Sequence, residues 1–158
     1  FDATLEEVLH LISHNGYAYA YPEIFGMISY GENSGSAMTN AMDTARGGFS
    51  NSIPDSYPSE AWYTYTDDTC NYICQASEYF YWSLTTKLGL QEYSGRSDEF
   101  ADEWKVTSSS NFASKDTEMN AILSKTGAYS GYSYELPDAS PDTNYTPTNF
   151  TVETVSRP

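Results

Sequence analysis

Apolar and polar positions recur at helical spacing over most of the chain. From Thr4 to His14, residues Leu5, Leu9, Ile12 and Val8 fall at about 0°, 40°, 340° and 300° around a helix axis, one continuous apolar face. Asn15-Gly16 is the left-handed stop for that helix. Tyr17, Tyr19 and Tyr21 then alternate with alanines, a pattern that predicts a short strand or an extended connector. Pro22 suits the first position of a short helix through Ile28. Ser36 can cap a helix through Arg46, ended by Gly47-Gly48, with Ala37, Met38, Ala41, Met42 and Ala45 as a small-residue packing face. On it, Asp43 and Arg46 are spaced as a surface ion pair.

Residues 49–66 carry the prolines and small polar residues of a long loop, ending in an aromatic cluster of Trp62, Tyr63 and Tyr65. The second strong helix is predicted from Asp68 to Leu88. Ile73, Ser77, Phe80, Leu84 and Leu88 make one face and Cys70, Cys74, Glu78, Tyr81, Trp82 and Thr85 another, so it reads as buried on most sides. A short helix capped by Ser97 is anchored by Phe100 and Trp104. Thr107–Ser114 reads as a polar loop, and Asp116 caps a last helix with Met119, Ile122 and Leu123 inside. The fold expected is mainly α: four to six helices over residues 1–127 with at most a small β element. Residues 128–158, rich in Pro, Ser and Thr, form an extended tail. The two long helices should pack together and bring Glu78 toward the first one.

Charge narrows the function. Seven Lys plus Arg against 22 Asp plus Glu give a formal net charge of −15, a field that disfavours nucleic acid and anionic membranes and draws cations such as calcium. No apolar run is long enough for membrane insertion. Tyrosine is abundant, at 15 residues, and suits interfaces and carbohydrate surfaces. A chain beginning at Phe1 is expected to be a processed product or part of something larger, at an extracellular or cell-surface location.

Candidate chemistry concentrates in the first helix. His10, His14 and Glu7 lie at about 140°, 180° and 200°, so two imidazoles and a carboxylate share one arc. Histidines four apart can reach one tetrahedral ion. The stretch resembles the active-site helix of the zincin metallopeptidases, and that resemblance implies bound zinc, with Glu78 from a later helix as third ligand. Leu11 stands where the family carries the glutamate that activates water, so the resemblance implies a catalytically altered or inactive descendant. Against it, Thr4-x-x-Glu7 is a capping-box pattern that would occupy Glu7, the histidines would then be ordinary polar-face residues, and Glu78 would be a protonated or tyrosine-bonded structural residue.

Cys70 and Cys74 are open to a disulfide, a metal pair or two buried thiols; in a secreted protein the disulfide is the expectation. Asn144-Tyr-Thr146 and Asn149-Phe-Thr151 are glycosylation sequons. Two functions follow. One is a secreted, zinc-binding, zincin-like domain using His10, His14, Glu78 and Glu7. The other is a non-enzymatic extracellular structural or interaction protein with a Tyr-rich surface and a glycosylated tail, self-associating or binding protein or glycan.

Overall fold

The computed structural model describes residues 3–139. Its helices are α1 (Thr4–Ile12), extended by a π turn at Ser13–Tyr17 into α2 (Ala18–Ala20), then α3 (Pro22–Phe25), α4 (Ala37–Arg46), α5 (Tyr72–Lys87), α6 (Arg96–Phe100), α7 (Ser109–Lys115) and α8 (Thr117–Leu123). A 3-10 turn at Gly127–Tyr129 follows. The architecture is mainly α, and among the described residues the β contact is one isolated antiparallel bridge, Tyr63 to Trp104.

Everything packs around α5. Tyr79, Phe80 and Leu84 on it are fully buried, and α1, α4, α7 and α8 all lie against it. It starts at Tyr72 rather than Asp68 because Asp67 holds the approach in a turn: its Oδ1 accepts from Thr69 N at 2.9 Å and its carbonyl from Cys70 N at 3.0 Å. Asn71 is then the N-cap, accepting from Cys74 N at 3.1 Å. Cys70 and Cys74 form a disulfide across that cap, with Cα atoms 5.3 Å apart, and Cys70 stands outside the regular helix.

α4 has the expected ends. Ser36 accepts from Thr39 N, and Gly47 takes the left-handed conformation at φ 87°. Its Asp43–Arg46 pair is not a surface bridge, since both side chains are buried and their hydrogen bonds go to other partners. Arg46 Nη2 donates to the carbonyl of Ser50 at 2.8 Å, while Asp43 accepts from the Tyr72 hydroxyl at 3.0 Å.

Three expectations are corrected by packing. The chain after Tyr17 is helical through Ala20: Tyr17 stacks on Phe25 and Phe80 and Tyr21 on Tyr134 while Tyr19 between them is 87% exposed, whereas a strand would place all three tyrosines on one face. Residues 109–115 form α7, capped by Ser108 and fixed by the buried Phe112, whose single apolar anchor is too sparse to show a period. Beyond the 3-10 turn the described residues run extended as expected, but they pack on the core instead of leaving it: Tyr134 is 2% exposed and its hydroxyl donates to the carbonyl of Ile122 at 2.6 Å. The sequons at Asn144 and Asn149 lie outside the described residues.

The largest correction concerns α1. Leu5, Val8, Leu11 and Ile12 face solvent, Leu11 with 63% exposure, and the buried positions are Leu9 and Ser13. No side chain caps the helix at its N-cap, Ala3, so the capping box is not formed. The face turned to the protein spans about 40° to 140° on the same wheel, through Leu9, Ser13, Glu6 and His10.

Asp116, the N-cap of α8, ties that helix and the loop at Trp62 to α5. Its Oδ2 accepts from Tyr79 at 2.7 Å and from the Trp62 indole at 2.9 Å, and its Oδ1 from Met119 N at 3.1 Å. Asp116→Ala should therefore lower the unfolding free energy by about 2–4 kcal/mol, against about 1 kcal/mol for the exposed cap in Ser108→Ala, as measured by urea denaturation.

Candidate metal centre

The rotation of α1 decides which side chains meet α5. At about 100° and 140°, Glu6 and His10 point at the helix; Glu7 at about 200° and His14 at about 180° do not. The π turn that begins at Ser13 further shifts His14 out of line with His10. His14 is exposed and lines a separate shallow groove with Tyr19, Pro22 and Ile28, and Glu7 is exposed as well. Glu6, His10 and Glu78 converge instead, each offering one ligand atom within 4.8 Å of the other two. The set of His10, His14, Glu78 and Glu7 expected from the sequence thus splits: His10 and Glu78 come together, Glu6 takes the place of Glu7, and His14 stands apart. The disulfide leaves Cys70 and Cys74 no thiolate to offer.

His10 Nε2 lies 3.5 Å from Glu78 Oε2 and is buried with no closed hydrogen bond. That separation exceeds the hydrogen-bond range. It is close to the edge of about 3.3 Å between two ligands of a tetrahedral zinc with bonds of about 2.0–2.1 Å. The other carboxylate oxygen, Oε1, accepts from the Tyr65 hydroxyl at 3.3 Å, an outer partner that fixes the orientation of Glu78. Tyr81 meets the His10 ring edge-on, with centroids 6.2 Å apart.

A cavity of about 390 Å³ opens beside this cluster, lined among others by Glu6, Glu78, Glu103, Tyr65, Trp82 and Arg96. Burial pushes the Glu6 carboxyl above its ordinary pKa, and nearby Glu78 adds to it against the pull of His10. Burial likewise raises Glu103, helped by Glu78 and Glu6. Glu78 in turn holds the His10 imidazole above its ordinary value, outweighing burial. Arg96 offsets part of this charge, its field lowering Glu6, while its Nη1 donates to Glu99 at 2.6 Å and its Nε to Gln91 at 2.8 Å and it lies over Trp82 and Phe100. The arrangement is a half-buried pocket with excess negative charge, which is stabilised by protons or by a cation.

Glu6 and Glu103 are the site residues that sequence reasoning misses. Glu6 precedes His10 by four residues and was legible as a ligand partner at i, i+4; Glu103 carries no local signal, being brought in through the Tyr63–Trp104 bridge. No family model, curated protein or solved structure matches the chain.

In Glu78→Gln the His10 pKa should fall, seen by NMR titration of the ring. A His pKa raised in the folded state contributes stability that is full below about pH 6.5, its unfolded value, and is lost as the pH rises through the folded value. The metal-free protein should therefore lose this increment above that range, and Glu78→Gln should flatten the dependence.

Proposed function

We propose that the protein is an extracellular metal-binding domain that holds zinc through His10, Glu78 and Glu6. One observation carries the reading: a buried imidazole nitrogen and an oxygen of the largely buried Glu78 carboxylate stand 3.5 Å apart without a hydrogen bond, with a second carboxylate beside them. An imidazole with carboxylates is a donor set of intermediate hardness that suits zinc better than calcium. Three protein ligands beside an open cavity leave room for a further ligand, as in zinc sites that handle substrate.

The zincin resemblance enters this reading in altered form. A zinc ion in such a place polarises carbonyls and acidifies water. The family's adjacent base is replaced by Leu11, which points to solvent. Glu103, in the same cavity and with its pKa raised, is the group placed to accept or return a proton. Tyr65 positions Glu78. The Cys70–Cys74 disulfide and the −15 charge support an extracellular or cell-surface setting. Among the described residues no helix is long and apolar enough to cross a membrane.

Elemental mass spectrometry of the purified protein should find one zinc per chain. His10→Ala and Glu78→Gln should weaken zinc binding on the order of 100-fold or more, whereas His14→Ala should leave it unchanged. Equal loss in His14→Ala, or no zinc affinity in the unaltered protein, would sink this reading.

One feature favours the second function, an interaction or self-assembly domain. Leu5, Val8, Leu11 and Ile12 form an exposed apolar stripe on α1, and such stripes mark contact surfaces. Val8→Glu with Leu11→Glu should abolish any concentration-dependent association in sedimentation velocity; removal of residues 140–158 tests the tail without cutting the buried Tyr134 out of the core.

A further inference from the structure

A second cluster of oxygen donors shares no residue with the pocket beside His10. At the C-terminal end of α4, the turn through Gly47 and Gly48 and the loop at Glu32-Asn33 enclose a small cavity of about 270 Å³, lined by Glu32, Asn33, Asn40, Asp43 and Thr44 with the two glycines. Every side chain among these offers oxygen, and none offers imidazole or thiolate.

Asp43 is the decisive residue. It is 5% exposed, and while Oδ2 accepts from Tyr72 at 3.0 Å, Oδ1 is buried with no hydrogen-bond partner at all. A buried acceptor without a partner is uncommon in folded proteins and calls for an ion, a water or a proton. Arg46, one turn on, lowers the Asp43 pKa through its charge but closes no ion pair with it, donating instead to the Ser50 carbonyl at 2.8 Å and the Ser52 carbonyl at 3.4 Å. Glu32 comes from the facing loop, and its Oε1 lies 3.6 Å from where a Cβ on Gly48 would stand, so the carboxylate folds over that glycine. Gly48, at φ 138°, holds a backbone conformation that leaves the room. The negative end of the α4 dipole points into the same space.

We propose that this pocket binds calcium, with Asp43 Oδ1 and the Glu32 carboxylate as its anionic ligands and Asn33 and Asn40 on its walls. Hard oxygen donors without nitrogen or sulfur select a hard cation, and calcium accepts an irregular shell completed by water. Burial pushes the Asp43 carboxyl upward, with Glu32 adding to the effect, so a bound cation competes with a proton there. Two carboxylates and an open side place the affinity at about 10⁻⁴–10⁻³ M, the range of extracellular modules. The site is independent of His10, Glu6 and Glu78.

Calcium chloride titrated calorimetrically into the metal-free full chain should show one site. Glu32→Gln, at an exposed position, should weaken it about tenfold, and Asp43→Asn should abolish it, while His10→Ala leaves it intact. A calcium-dependent rise in melting temperature should vanish in the same two variants. Absence of binding in the unaltered protein would overturn the proposal, since Asp43 would then carry a proton or a water. So would binding that survives Glu32→Gln and Asp43→Asn but disappears in Glu78→Gln, which would place the calcium at the other centre.

Discussion

A buried carboxylate on the central helix sets the orientation of the N-terminal third of the protein. Glu78 sits on α5 between aromatic residues, and leaving such a charge unpaired costs about 3–5 kcal/mol. α1 answers it by turning His10 and Glu6 inward. The same turn puts Leu5, Val8, Leu11 and Ile12 in water, each about half exposed, which forfeits roughly 1 kcal/mol apiece. The two sums nearly cancel. Metal-free, the rotation of α1 is therefore finely balanced, and Glu6 works against it by adding a second carboxylate. A cation bound between Glu6, His10 and Glu78 changes the sign of that last contribution and makes the observed rotation the favoured one.

This balance explains what the sequence shows and what it hides. The helices with side-chain caps and glycine stops, α4 and α8, read directly, because Ser36, Gly47 and Asp116 act within one turn of their own position. The approach of α1 to α5 is also legible, and with it the meeting of His10 and Glu78. Which face of α1 turns inward is not. Hydrophobic periodicity records what a helix would bury against an apolar partner, and here the partner presents a carboxylate. A rotation of about 100° follows, exchanging Glu7 for Glu6 and removing His14. In α7 and in Tyr17–Tyr21 the local pattern is overridden by single aromatic anchors, Phe112 and Tyr17, whose partners are remote in sequence. Glu103 and Glu32 belong to sites assembled from loops, where periodicity carries no information.

The tyrosine content takes on a different meaning inside the fold. With seven Lys plus Arg for 22 Asp plus Glu, the chain has few cations to spare for its interior carboxylates. It uses phenols instead. Tyr79 donates to Asp116 at 2.7 Å, Tyr72 to Asp43 at 3.0 Å and Tyr65 to Glu78 at 3.3 Å. A tyrosine supplies one donor on a large apolar body, so it solvates a buried carboxylate without importing a second charge. One hydroxyl is sufficient only where other donors complete the shell. Asp116 receives them from Trp62 and Met119 and is a structural anchor. Glu78 and Asp43 do not, and each keeps an oxygen facing an unfilled need: 3.5 Å from His10 in one case, without any hydrogen-bond partner in the other. The same substitute for internal cations that lets an acidic chain fold thus leaves Glu78 and Asp43, among the described residues, as places where an external cation has much to gain.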